Sequence, residues 1–177
     1  GKKSKSPEAA LKLADYNGDG VVDLYREMNY AHAYYASAYD KKGKTSYYKD
    51  IVQGFIDGRK LITSAGGEKL SNDQRSKLRA IAADIESNWE KVIAESVFKY
   101  AGSVYKDLEK LNTIMDANGN IDKAFRKYGK HWGELKGFSM ALQAGRKNLG
   151  EVAVKMNRMI GFGPLLPNGS QVVDVDS

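Results

Sequence analysis

The stretch that decides the fold is LRAIAADIESNWEKVIAESVFKYAGSVYKDLEKLNTIM, at residues 78–115. Apolar and small side chains recur along it at steps of three and four residues, which is the period of one helix face. These positions are Leu78, Ile81, Ile85, Trp89, Val92, Ser96, Tyr100, Val104, Leu108, Leu111 and Met115. The stretch predicts one long helix, preceded by a Ser71-Asn72-Asp73 cap, with Gly102 as a candidate point of bending or splitting.

Helical patterns also fill most of the remaining chain, and strand patterns barely appear before the last ten residues. The other predicted helices cover about residues 6–14, 24–40, 45–62, 121–144 and 148–160. Thr45 or Ser46 is the predicted cap of the third of these helices. The pattern predicts an all-α chain: an up-and-down helical bundle of about five or six helices. We expect a single domain over 1–177, with an N-terminal helix and loop at 1–23 and a short irregular tail at 161–177.

Composition excludes several classes of protein. The 177 residues contain no cysteine, so disulfides, thiolate catalysis and cysteine zinc sites are excluded. The net charge is +6, but the basic residues are spread among acidic ones and form no nucleic-acid footprint. We therefore expect no nucleic-acid partner. No apolar run approaches the roughly 18 residues of a membrane helix, so we expect no transmembrane segment either.

An aspartate-rich loop at 15–23 has the spacing of the front half of an EF-hand or dockerin calcium loop. Its candidate ligands are Asp15, Asn17, Asp19, the Val21 carbonyl, Asp23 and, further on, Glu27. Gly20 stands at the sixth position, where the motif turns sharply, whereas Arg26 occupies the twelfth position, which is normally a bidentate acid. The loop predicts calcium that fastens the N-terminal segment; the alternative is an Asx-rich turn in which Asp23 caps the next helix.

The chain has two histidines, and His131 lies three residues before Glu134 on a predicted helix. Residues at this spacing share one helix face, so an imidazole and a carboxylate can meet one metal ion. His32 is the only other histidine available as a ligand, and Glu27, Glu95 and Asp107 are candidate carboxylates among which the sequence offers no choice. The alternative is a histidine that is only hydrogen-bonded to a carboxylate in a helical core.

The segment Gly129-Lys130-His131-Trp132-Gly133-Glu134 resembles the G-x-H-x-x-E signature of imelysin-like proteins. The stretch at 135–143, and Trp89-Glu90-Lys91 before it, are similar to functionally unassigned exported relatives. The resemblance covers roughly residues 85–165, in a chain shorter than a two-bundle imelysin. It implies a periplasmic or outer-membrane or cell-surface anchored helical protein associated with iron uptake, with His131 and Glu134 binding iron or zinc.

Three functions follow as alternatives. The first is a non-enzymatic, exported metal-binding protein linked to iron uptake or handling. The second is a cell-surface adhesin or acidic-polysaccharide-binding module with a structural calcium loop, in which Tyr30, Tyr34 and Tyr48 stack on sugars or meet another cell-envelope protein. The third is a metallopeptidase, for which the chain lacks a His-Glu-x-x-His motif.

Overall fold

The computed structural model describes residues 18–21, 31–145, 149–168 and 170. Its helices are α1 (Ala31–Asp40), α2 (Tyr47–Thr63), α3 (Asn72–Asp116), α4 (Asp122–Gln143) and α5 (Glu151–Ile160). No β-strand occurs among these residues, so the all-α prediction with a short irregular tail is confirmed. The predicted helix at 6–14 lies outside the described part of the chain. None of the described helices has the length and apolar character that crossing a membrane requires.

The chain forms two compact units, Gly1–Val92 and Ile93–Ser177, whose boundary falls inside α3. Helix α3 is continuous over 45 residues, so Gly102 does not split it. It starts at a reciprocal capping box: the Ser71 N–H donates to Gln74 Oε1 at 2.8 Å, and the Gln74 N–H donates to Ser71 Oγ at 3.2 Å. The periodic positions supply most of its buried side chains, among them Val92, Ser96, Tyr100 and Leu111.

In the first unit, the buried core is formed by Ala36, Tyr39 and Val92, with Tyr35, Tyr47 and Trp89 packed against it. Helix α2 packs on α3 through Gly54 and Gly58. A Cβ atom on Gly54 would stand 2.7 Å from Ile85 Cγ1, while one on Gly58 would stand 3.4 Å from Leu78 Cδ1. The absence of a side chain at Gly54 therefore permits the close approach of the two helices.

The start of α2 is capped from the end of α1. The backbone N–H groups of Tyr48 and Lys49 donate to Asp40 Oδ2 at 2.8 and 3.3 Å. Ser46 occupies the predicted N-cap position, but its hydroxyl donates to Asp50 Oδ2 and makes no capping bond. The carboxylate of Asp40 satisfies the helix N–H groups instead, because it arrives with a full negative charge at the positive end of α2.

In the second unit, side chains of α4 satisfy backbone carbonyls at the end of α5. Trp132 Nε1 donates to the Ile160 carbonyl at 3.0 Å, and Lys136 Nζ donates to the Gly161 carbonyl at 2.9 Å. These carbonyls have no partner within their own helix, so the two bonds fix the register of α5 on α4. Gly161, at φ 76°, ends α5 as the sequence predicts.

The connection between α3 and α4 is a turn. Asn118 adopts φ 52°, and the Gly119 N–H donates to the Ile114 carbonyl at 2.8 Å, which closes the C-terminus of α3. The Asp122 N–H donates to Asn120 Oδ1 at 2.9 Å, an Asx turn that begins α4. Asn118 thus ends α3, and Asn120 starts α4.

Candidate metal-binding site on helix α4

His131 and Glu134 both lie on α4, one helical turn apart, as the sequence predicts. Gly129, Gly133 and Gly137 weaken the intrinsic helix preference of this segment, and burial of the anchors Tyr128, Leu135 and Ser139 stabilises α4 against that cost. Burial of these anchors fixes the rotation of the helix. His131 and Glu134 are half-buried as a result.

Asp107 of α3 is the partner of His131. Its side chain is only 5% exposed, and its two oxygens are both engaged: Oδ2 lies 2.5 Å from His131 Nδ1, and Oδ1 accepts from Lys127 Nζ at 2.9 Å. Burial alone would raise the pKa of Asp107, but the hydrogen bonds and charges of Lys127 and His131 outweigh burial and hold that pKa below its ordinary value. Asp107 is therefore an ionised, buried carboxylate.

The carboxylate of Asp107 fixes the role of each nitrogen in the His131 ring. Because an ionised carboxylate only accepts hydrogen bonds, Nδ1 must carry a proton. In the neutral ring the lone pair is then on Nε2, which becomes the ligand or base atom. Histidines that bind metals are commonly oriented in this way, with the second ring nitrogen donating to a carboxylate.

Glu134 carries a buried oxygen without a hydrogen bond. Its Oε2 is inaccessible to solvent and accepts from no donor among the described residues. Lys130 Nζ lies 3.5 Å from this atom, an ion pair too long for a good hydrogen bond. A buried carboxylate oxygen in this state is costly in a folded protein, so its presence calls for an explanation, such as an ion that the site accommodates.

An aromatic wall stands beside the histidine. The ring of Tyr100, which is buried, has its centroid 5.9 Å from that of His131, and it stacks on Phe138 at 5.6 Å with an interplanar angle of 11°. These rings limit solvent access to one side of the imidazole. Electrostatic interactions of His131 with Asp107 are strengthened in such a setting.

His131 and Glu134 are side chains of the kind that bind metal ions, but two protein ligands are fewer than a metal site usually has. Within the described ranges, no group of three or more histidine, aspartate or glutamate side chains is placed to hold a metal. Asp107 spends both oxygens on Lys127 and His131. His32 belongs to α1 in the first unit, and its side chain lies outside what the structure describes. The prediction that His32 is a ligand stays a prediction.

Of the three candidate carboxylates, Asp107 is the one that the structure pairs with His131. A sequence signal for it does exist: Asp107 lies seven residues after Tyr100 and four before Leu111, so it shares the periodic apolar face of α3. A charge on a buried face needs a counter-charge or hydrogen-bond donors. Lys127 and His131, which are four residues apart on the next helix, supply both.

Only part of the proposed calcium loop is described. At residues 18–21, the Val21 N–H donates to Asp19 Oδ1 at 2.8 Å, an Asx turn, and Gly18 and Gly20 have positive φ values of 75° and 86°. This turn occurs in both alternatives given above. The remaining candidate ligands, Asp15, Asn17, Asp23 and Glu27, lie outside the described residues, so calcium binding stays a prediction.

Two pairs of adjacent tyrosines, Tyr34-Tyr35 and Tyr47-Tyr48, each place one ring against the core and one at the surface. Tyr35 and Tyr47 pack against the core of the first unit, whereas Tyr34 and Tyr48 are each 43% exposed. Tyr34 and Tyr48, two of the three tyrosines predicted to stack on sugars, are therefore accessible to a ligand. Tyr30, the third tyrosine predicted to stack on sugars, lies outside the described residues.

No family model, curated protein or solved structure matches this chain. The resemblance to imelysin-like proteins consequently rests on residues 129–134 and the neighbouring segments. Function has to be argued from the side chains of α3 and α4.

Proposed function

We propose that this chain is a non-enzymatic, imelysin-like metal-binding protein whose site is formed by His131 Nε2 and the Glu134 carboxylate. The observation that carries the proposal is the buried Glu134 Oε2, which lacks a hydrogen bond one helical turn from a histidine that Asp107 orients. A metal ion between the two would give this oxygen the direct partner that the Lys130 ammonium, at 3.5 Å, does not provide.

The donor set suits iron or zinc. Imidazole nitrogen with carboxylate oxygen is a common ligand combination for both ions, and it is less suited to calcium or copper(I). Two protein ligands leave the other coordination positions to water or to a small chelating molecule. Such a site holds its metal loosely, which suits uptake or handling better than a permanent structural role. Export to the periplasm or cell surface is part of the same proposal, and it is supported by the resemblance of residues 129–134 to exported imelysin-like proteins.

Lys130 competes with the metal in this proposal. Its ammonium group lies 3.5 Å from Glu134 Oε2, and a bound ion would take its place. We expect Lys130→Met to raise metal affinity several-fold, since removal of one repelling charge near a surface is worth on the order of 1 kcal/mol. Lys127 is held by Asp107, so Lys127→Met is expected to act through the orientation of His131 instead.

Metal binding is favoured over metal-dependent hydrolysis. A hydrolytic zinc site uses three protein ligands, an open position and a general base. His131 and Glu134 supply two ligands, and Asp107 is held by Lys127 and His131. A metallopeptidase would need Glu134 to serve as both ligand and base.

Calorimetric titration of chelator-stripped protein with Zn²⁺, and with Fe²⁺ under anaerobic conditions, tests the proposal. We expect one site in the wild type, and at least a tenfold loss of affinity, about 1.4 kcal/mol, in His131→Ala and in Glu134→Gln. Glu68→Gln, an exposed carboxylate of the first unit, is the matched control and is expected to bind as the wild type does. Equal affinity in His131→Ala and the wild type would contradict the proposal. His32→Ala in the same series tests the third predicted ligand.

A second candidate function is supported by the exposed tyrosines. Tyr34 and Tyr48 present 43% of their surface, and the chain carries a net charge of +6, which suits an acidic polysaccharide. Binding of polygalacturonate, measured at low salt, is expected to weaken in Tyr34→Ala and Tyr48→Ala. Tyr105→Ala, an exposed tyrosine of the second unit, is the control. Equal binding by all three variants would exclude stacking on these two rings.

A further inference from the structure

An apolar cleft in the second unit lies outside the site described above. It has a volume of about 490 Å³ and is bordered by α3, α4, α5 and the segment that follows α5. Val97, Val104, Leu135, Met156, Ile160 and Leu165 are among the side chains that line it. A concave apolar site of this size lies within the range of pockets that enclose small organic ligands.

The aromatic residues of the cleft use their polar atoms elsewhere. Trp132 Nε1 donates to the Ile160 carbonyl, and the Tyr128 hydroxyl accepts from the Leu165 N–H at 2.8 Å. The Tyr105 hydroxyl is hydrogen-bonded to Glu109. The cleft is thus lined by ring faces and alkyl groups whose polar partners are already provided, so its wall favours an alkyl or aromatic occupant over water.

Exposed apolar surface and positive charge lie beside the cleft, on α5. Met159, which is 76% exposed, borders both the cleft and a neighbouring depression on α5 that is lined by Lys155, Arg158 and Glu151. Two cationic side chains against one anionic side chain leave this part of the rim positive. Methionine is flexible and polarisable, so Met156 and Met159 can adapt to a chain of variable shape.

We infer that this cleft binds a long-chain carboxylate, that is, a fatty acid whose alkyl chain fills the cleft and whose head group meets Lys155 and Arg158. The apolar lining selects the chain, and the positive rim selects the anionic head. The concave shape distinguishes this ligand from a flat protein partner, since a bent alkyl chain can be enclosed on several sides. The inference does not rest on the proposed metal site, because none of His131, Glu134 and Asp107 lines the cleft.

The test is calorimetric titration of the full, delipidated chain with oleate, below the concentration at which oleate self-associates. Ala101 lines the cleft and is exposed, so Ala101→Phe places a ring in the cleft with little disturbance of the fold. We expect it to lower oleate affinity at least tenfold. Val104→Trp fills the cleft more completely and is used alongside it, with circular dichroism as a check that both variants are folded.

The head-group part of the inference has its own comparison. The double variant Lys155→Glu/Arg158→Glu is expected to lose at least tenfold in affinity for oleate while keeping its affinity for oleyl alcohol, which has the same chain without the charge. The double variant Lys106→Glu/Lys110→Glu makes the same change of charge at two exposed cations of α3 that border neither depression, and it is expected to bind oleate as the wild type does.

Three results would overturn the inference. The first is the absence of oleate binding by the wild type. The second is an equal loss of oleate affinity in Lys106→Glu/Lys110→Glu and in Lys155→Glu/Arg158→Glu, which would show attraction by net charge alone. The third is self-association of the wild type that Ala101→Phe abolishes in sedimentation experiments, which would assign the cleft to a second copy of the chain.

Discussion

Replacement of Asp107 by asparagine tests the arrangement that orients His131. The carboxylate is 5% exposed and accepts from two donors, His131 Nδ1 and Lys127 Nζ. Asparagine has the same shape but only one acceptor oxygen. Its NH₂ group, itself a donor, would therefore face either His131 Nδ1 or Lys127 Nζ. Hydrogen bonds to charged groups contribute about 1.5–3 kcal/mol each, and we therefore expect Asp107→Asn to lower the free energy of unfolding by about 2–3 kcal/mol.

The assay is urea unfolding near neutral pH, followed by circular dichroism. For a chain of this size the expected loss corresponds to a fall in Tm of about 4–10 °C. Asp84→Asn is the matched control, because Asp84 lies on the same helix with an exposed side chain, and its cost is expected to stay within about 0.5 kcal/mol. A cost for Asp107→Asn that is no larger than that of Asp84→Asn would show that the hydrogen bonds of Asp107 do not stabilise the fold.

The pH dependence of stability gives the same residue a second test. The pKa of Asp107 is lowered by folding, so its contribution is fully present above the pKa of the unfolded chain, about 4. That contribution is lost as the pH falls further, towards the lower pKa of the folded state. We expect the stability difference between wild type and Asp107→Asn to shrink below about pH 4, as the wild-type carboxylate takes up its proton. A difference that does not change with acidification would show that Asp107 is not held ionised by its partners.

Other predictions concern packing and helix ends. Gly54→Ala is expected to destabilise the first unit by about 1–3 kcal/mol, because its Cβ would meet Ile85 Cγ1 at 2.7 Å, whereas Gly58→Ala, with its nearest contact at 3.4 Å, is expected to be neutral or stabilising by up to about 1 kcal/mol. Thermal melts of the two variants check this, and equal effects would contradict the close approach. Ser71→Ala removes the capping box and is expected to cost about 1 kcal/mol in urea unfolding; a change below a few tenths would contradict the capping role. Trp132→Phe removes the bond to the Ile160 carbonyl, and hydrogen exchange near the end of α5 is expected to accelerate several-fold; unchanged exchange would show that this bond does not hold the helix end.

The helices could be predicted because their signals are local. The three- and four-residue period of α3, the Ser71 cap and the terminating Gly161 each depend on residues within a few positions of one another. The predicted bounds of α2 and α4 agree with the structure to within a few residues. The cap of α2 was missed because Asp40 reaches it from the preceding helix, eight residues away.

The candidate site could be predicted in part. The spacing of His131 and Glu134 placed them on one face of a helix, which the structure confirms. The apolar face of α3 indicates that Asp107 is buried, but the sequence does not identify its partner, because the contact with His131 spans 24 residues. Nor does any local pattern report that Glu134 Oε2 is buried without a hydrogen bond, since that depends on the packing of α4 against its neighbours.

Binding of a metal ion by His131 and Glu134 can be observed by X-ray absorption at the zinc edge of protein loaded with one equivalent of Zn²⁺. We expect a nitrogen and oxygen coordination sphere at about 2.0–2.2 Å with the multiple scattering of one imidazole. The imidazole signal is expected to disappear in His131→Ala and to persist in Glu68→Gln. An imidazole signal that survives in His131→Ala, or zinc that remains unbound by the wild type, would show that His131 does not hold the metal.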